Sequence, residues 1–154
     1  MASGPIEIEI DSRRVRDALA RLAAHSSNLR PALTEIGEVL IESTKKRFET
    51  SEAPDGTPWA ANRPATRKHG IDKPLVGETR SLANLINFDV GSDRVSIGSP
   101  MEYAAMQQFG GTKSEFPHLW GNIPARPFLG LSSADEREVL DIIEAHLAEA
   151  LGAR

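Results

Sequence analysis

One long apolar stripe constrains this chain more than any other feature. From Pro31 onward, Leu33, Ile36, Gly37, Leu40, Ile41, Thr44 and Phe48 recur at helical spacing, while Glu35, Glu38, Glu42, Lys45 and Lys46 fall mostly outside that face. Pro31 suits the first turn, where a missing N–H costs nothing. A helix of this kind presents about 30 Å of apolar surface, and a second layer has to cover it.

The periodic segments on either side are the candidates for that layer. Residues 6–10, "IEIEI", alternate strictly, as a half-buried strand does. After Asp11 or Ser12, either a suitable N-cap, residues 13–25 place Val15, Leu19 and Leu22 on one helical face. Near the other end, Ser133 with Glu136 forms a capping box, and Val139, Ile142, Ile143, His146, Leu147 and Ala150 line one side of a helix that Gly152 ends. Between them, Ile86, Phe88 and Val90 alternate with polar residues, Gly91, Ser92 and Asp93 turn, and Val95 and Ile97 alternate again: a hairpin. A short helix over 102–109 follows, with Gly110 placed to cap it in a left-handed conformation.

Two stretches have no period. Residues 50–77 hold four prolines, three glycines and many polar residues, which predicts a long loop, mobile in the isolated protein; "APDGTPW" supplies its turn chemistry. Trp59 argues against plain disorder there, because an indole tends to find a surface that covers it. Residues 123–131, "IPARPFLGL", are extended by their two prolines. With 154 residues, 40% hydrophobic and 26% charged, the chain is expected to fold as one domain over 1–154.

Reactive chemistry is hard to place on this sequence. There is no cysteine, so thiolate catalysis, disulfides and Cys-based zinc sites are excluded together. His25, His69, His118 and His146 show no metal-ligand spacing, and no G-x-S-x-G elbow, P-loop or Rossmann glycine pattern occurs. His118 and His146 are more simply packing or partner contacts. No catalytic, cofactor or metal residue is therefore assigned, and an enzyme is not expected. The N-terminus lacks a secretory pattern, and no apolar run is long enough for a membrane span, so a soluble cytoplasmic product is expected.

Net charge is −4, but residues 45–80 carry eight Lys and Arg against five Asp and Glu, a local +3 against −7 for the rest. Arg63, Arg67, Lys68 and Lys73 are the candidate contacts to phosphate or to an acidic protein, with a solvated basic loop as the plain alternative. The acidic whole leaves nucleic acid at most a non-specific partner.

The apolar loop residues remain. Phe116, Leu119, Trp120, Phe128 and Leu129 sit in segments of little regular structure, so either the domain's own core or another subunit covers them. Phe128 and Leu129 fit either role; Phe116, Leu119 and Trp120 lean toward a subunit contact. Arg126, between Pro124 and Pro127 on stiff backbone, suits a fixed polar contact across an interface or the satisfaction of local carbonyls.

"RFETSEAPDGTPWAAN", "YAAMQQFGG" and "IPARPFLGLSSADEREVLDIIEAHL" resemble, in this order and spacing, the phage virion morphogenesis family of Mu-like tail completion proteins, over about residues 33–147. By position, Phe48, Pro54, Asp55, Gly56 and Trp59 match the first motif. Tyr103, Ala104, Gln108, Phe109 and Gly110 match the second, and Pro124, Arg126, Pro127, Phe128, Leu129 and Gly130 the third. The resemblance implies an α+β fold, with a small antiparallel sheet packed with two N-terminal helices and a C-terminal helix. It implies a non-enzymatic virion component, without cofactor, that acts in tail completion and head–tail joining of a phage or prophage particle. Such a protein forms a homo-oligomeric ring and docks on tail tube, terminator, neck or connector proteins, in the host cytoplasm during assembly and in the virion afterwards. A neck or tail-terminator protein of the same fold, or a small nucleic-acid-binding accessory protein using the basic loop, are the alternatives. The contact candidates are Trp59, Arg63, Arg67, Lys68, Tyr103, Gln108, Phe109, Phe116, Leu119, Trp120 and Arg126.

Overall fold

The computed structural model describes residues 6–7, 12–64, 73–75, 80–119 and 121–152. The predicted positions Ile8, Ile10 and Asp11, and residues 65–72 and 76–77 of the expected loop, lie outside the described residues.

The apolar stripe forms α2 (Arg30–Thr50), preceded by α1 (Arg13–His25). Ser12 caps α1, its Oγ accepting from the Val15 N–H at 3.3 Å. Asn28 Oδ1 accepts from the Arg30 N–H, and Pro31 lies in the first turn of α2. A short helix α3 (Ser81–Asn84) leads into the hairpin of β2 (Asn87–Val90) and β3 (Val95–Ser99). The first strand, β1 (Ile6–Glu7), pairs with the other edge of β3, so the sheet order is β1-β3-β2 with antiparallel neighbours. Phe88 lies opposite Ile97 and Val90 opposite Val95. Helices α4 (Ala104–Phe109) and α5 (Ser133–Gly152) complete a small α+β fold.

The stripe of α2 serves two cores. Its N-terminal half gives Ala32 and Ile36 to a three-helix cluster with Ala18 and Leu22 of α1 and Val139, Ile142, Ile143 and Leu147 of α5. Its C-terminal end gives Phe48 to a second cluster with Ala53, Trp59, Leu82, Ile86, Ala104, Phe128 and Leu129. At mid-length, Gly37 admits the sheet: a Cβ there would lie 2.3 Å from the Phe88 ring. Glycine costs helix propensity at this position, and the close approach of Phe88 explains its presence.

A charge is buried on the stripe. Arg47 and Asp135 form an ion pair that is almost fully sealed from solvent. Asp135 also accepts from Ser43 Oγ and from the Ser132 N–H, while its own N–H donates to Ser132 Oγ at 2.9 Å. The capping box of α5 is therefore Ser132 with Asp135, one residue before the expected Ser133 and Glu136. The reason is tertiary: Asp135 is drawn inward by Arg47, whereas Glu136 turns to Arg14 Nη1 and Ser12 Oγ of α1.

Other boundaries also shift. The second strand begins at Asn87, one residue after the first alternating position, Ile86, because the N–H of Leu85 closes α3 onto the Ser81 carbonyl. The helix expected over 102–109 begins at Ala104. Gly110 ends it with φ 69° but ψ −178°, an extended glycine conformation rather than the left-handed helical one, because the chain must run straight into a bridge between Gly111 and Ile123.

Gly37→Ala should lower stability by about 1–3 kcal/mol through overpacking against Phe88, although alanine is the better helix former. The loss should shrink in a Phe88→Ala background, read by chemical denaturation as a double-mutant cycle. Asp135→Ala should cost about 3–5 kcal/mol by stranding the buried Arg47 charge, far more than Glu136→Ala; the reverse order would restore the capping box expected from sequence.

Candidate interaction surface

Arg126, Phe128 and Leu129 are buried, with Pro127 half-buried between them, yet none belongs to a strand, so side chains from elsewhere must satisfy the backbone there. Trp59 Nε1 donates to the Pro127 carbonyl at 2.8 Å, Arg47 Nη1 to the Phe128 carbonyl at 2.8 Å, and Gln108 Nε2 to the Leu129 carbonyl at 2.9 Å. Gln108 Oε1 accepts from the N–H groups of both Phe128 and Leu129, each at 3.0 Å. The Arg126 N–H donates to the Gln107 carbonyl, and Pro127 has no N–H to place. The segment is thereby fixed with Phe128 completely buried, tilted against Phe48, whose ring also meets the edge of Trp59 at 5.5 Å.

Three expected contact residues thus lie inside the chain's own frame. Trp59 and Gln108 are buried and hold residues 127–129. Arg126 is 8% exposed and donates through Nε and Nη2 to the carbonyls of Ala60 and Ala61 at 2.8 and 3.0 Å. Of the two roles open to Arg126, the structure shows the satisfaction of local carbonyls. Burial, and then the Arg63 charge, push its pKa below the ordinary guanidinium value. Residues 51–64, the first half of the expected loop, follow a defined path. The N–H of Ala53 donates to the Thr57 carbonyl, that of Thr57 to Asp55 Oδ1, and that of Trp59 to the Ser51 carbonyl.

The remaining candidates stand on the outside. Phe109 is 61% exposed and Tyr103 43%, while Phe116 and Leu119 are half-buried. Phe109 and Phe116 border a groove of about 640 Å³ floored by Gly110, Gly111, Ile123, Pro124 and Ala125. Its wall, from Thr112, Glu115, Phe116 and Asn122, belongs to a loop whose two ends are tied together. Gly111 and Ile123 exchange backbone hydrogen bonds at 2.9 and 2.7 Å, Thr112 Oγ1 donates to Glu115 Oε1, and the Lys113 N–H donates to Asn122 Oδ1. Phe116 lies over Gly111, where a Cβ would come within 2.9 Å of its ring.

Arg63 crosses to this loop, donating through Nη2 to the Asn122 carbonyl at 2.6 Å and lying over Gly121. Neither Arg63 nor Arg126 has a carboxylate partner among the described residues. Arg67, Lys68 and Trp120 lie outside the described residues. Sequence reading missed Arg47 and Asp135. The available signal was a cation at position 47, next to Phe48 and three residues after Thr44 on an otherwise uncharged stripe.

Among the described residues no cluster of His, Asp and Glu suits a metal ion, and no helix is long and apolar enough to cross a membrane. His146 Nε2 is 2.7 Å from Glu35 Oε2, and His118 meets the edge of Phe116. These arrangements hold helices and a loop together.

The phage virion morphogenesis family matches residues 10–148 of the chain. The "Putative capsid assembly protein G" of Escherichia phage Mu is 33% identical over 152 residues, covering 95% of this chain and 96% of that protein. The "Mu-like prophage FluMu G protein 2" of Haemophilus influenzae is 32% identical over 142 residues, 90% and 94% of the two chains. The "Tail completion protein S" of Escherichia phage P2 is 28% identical over 146 residues, 88% and 96%. No solved structure matches the chain.

The surface and the frame should separate under mutation. Gln108→Leu keeps the volume but strands two N–H groups and a carbonyl, and should cost about 3 kcal/mol or more, since each unsatisfied buried group costs about 1–3 kcal/mol. Phe109→Ala should stay within about 0.5 kcal/mol of the parent. Urea denaturation of both decides it, and equal losses would contradict the placement of Phe109 outside the core.

Proposed function

The chain belongs to the phage virion morphogenesis family, and from that premise we propose that it completes the phage tail and joins it to the head as a purely structural component. The family supplies a role in phage assembly. The finer reading is a homo-oligomeric ring that docks at the head-proximal end of the tail, in a phage or prophage particle, with tail tube, terminator, neck or connector proteins as its neighbours. No cofactor and no reaction enter this reading, and the mature location is the virion.

The observation that carries it is the division of labour among the motif residues. Trp59, Gln108, Arg126 and Phe128 build the interior, while Tyr103 and Phe109 hold apolar surface at its edge, next to Phe116 of the loop outside the motifs. Exposed aromatic groups beside arginine are the usual anchors of protein interfaces. The names of the relatives point the same way. One is described by capsid assembly and another by tail completion, and a protein at the head–tail junction fits both descriptions.

Deleting this protein should leave filled heads and separate tails that fail to join, with genome replication unchanged. Electron microscopy of the deletion lysate reads the outcome. Normally joined particles, or a block before heads appear, would contradict the joining role.

A further inference from the structure

Residues 59–63 lie alongside residues 122–127, and side chains bonded to main-chain carbonyls join the two. Trp59 Nε1 donates to the Pro127 carbonyl, Arg126 Nε and Nη2 to the carbonyls of Ala60 and Ala61, and Arg63 Nη2 to the Asn122 carbonyl. The donors grade from inside to outside: Trp59 and Arg126 are buried, whereas Arg63 is exposed. This strap is thus anchored firmly at its Trp59 end and held at its far end by one surface bond, for which water competes.

Among the described residues, that bond is the one hydrogen bond that reaches the loop from Thr112 to Asn122 from another part of the chain. The loop is tied at its base by Gly111 and Ile123, and its remaining bonds are its own. The Phe116 N–H donates to the Thr112 carbonyl, the Leu119 N–H to the Phe116 carbonyl, Thr112 Oγ1 to Glu115 and the Lys113 N–H to Asn122 Oδ1. Phe116 packs over Gly111, at the base itself. The loop can therefore turn about its base as one body without losing an internal bond. The Arg63 guanidinium sits on it at Gly121, where a Cβ would come within 2.9 Å of Nη2. Its acceptor is a neutral carbonyl, no carboxylate pairs with it among the described residues, and its charge acts against that of Arg126.

We infer that Arg63 is a releasable latch on this loop. Engaged, it holds the Asn122 side of the groove wall to the strap. Released, the wall pivots at Gly111 and Ile123, where a few loop-end residues absorb the change, while the frame around Phe128 stays closed. Thr112, Glu115, Phe116 and Asn122 all line the groove, so the latch sets its width. It acts whatever the groove meets and does not depend on the joining role proposed above.

The chain has no cysteine, so introduced cysteines carry spin labels at chosen sites only. Lys113→Cys marks the loop and Lys45→Cys marks α2; Lys45→Cys with Asp141→Cys gives a control pair within the helical frame, and all three positions are exposed. Double electron–electron resonance should give one narrow distance between positions 113 and 45. Adding Arg63→Ala should raise the displaced population about tenfold, as loss of one charged hydrogen bond does, with the control distance and the melting temperature unchanged. Arg63→Met, which keeps the stem and loses the donor, should match Arg63→Ala, and Arg63→Lys should fall between it and the parent. A distribution for Arg63→Ala or Arg63→Met identical to that of the parent would overturn the latch. So would a broadening shared by the control pair, which would make Arg63 part of the frame.

Discussion

Residues 126–129 run through the second core without a neighbouring strand, with Arg126, Phe128 and Leu129 buried, and most of that core follows from the constraint. A peptide segment in a dry interior needs partners for each N–H and C=O. Here they come from three side chains distant in sequence: Trp59 from the turn after α2, Arg47 from α2 itself, and Gln108 from α4. Each bond crosses between elements, so fixing the segment also fixes the turn, the helix and the hairpin exit against one another. Gln108 is suited to this because one amide both donates and accepts, and it closes on two N–H groups and a carbonyl at once.

Using an arginine inside the fold brings a second requirement. Burial alone lowers the pKa of Arg47, and Asp135 opposes that effect by its charge and its hydrogen bond. A buried ion pair contributes little net stability compared with apolar packing, but losing one partner is costly. Its consequence here is positional. Asp135 also closes the capping box with Ser132 at the start of α5, so the contact that neutralises Arg47 sets where α5 begins. The two cores on α2 are coupled through this one carboxylate.

With the interior fixed this way, the exterior is free to serve assembly. Gly110 and Gly111 let the chain leave α4 in an extended path and pass under Phe116, which leaves Phe109 outside and opens the groove. The apolar rim is held by the same frame that buries Phe128, and Arg63 braces its loop through the Asn122 carbonyl. A surface held in place like this has little conformational entropy left to lose on any contact it makes.

Local periodicity determined much of the fold. The stripe of α2, the alternation of Phe88, Val90, Val95 and Ile97, the inner face of α5 and the Ser12 cap all depend on neighbours a few residues away, so the sequence carries them directly. The motif order carried the family. The tertiary structure alone decided which non-periodic residues go inside. Trp59 and Phe109 are both aromatic, and both stand beside turn-forming residues, yet one is covered and the other open. Trp59 is oriented by the Pro127 carbonyl, 68 residues later, and by the Phe48 ring. The same holds for Asp135, whose choice over Glu136 as the capping partner depends on an arginine 88 positions earlier in the chain. A one-residue shift in a cap is invisible to local propensity, because both carboxylates suit the first turn equally and only the buried charge distinguishes them.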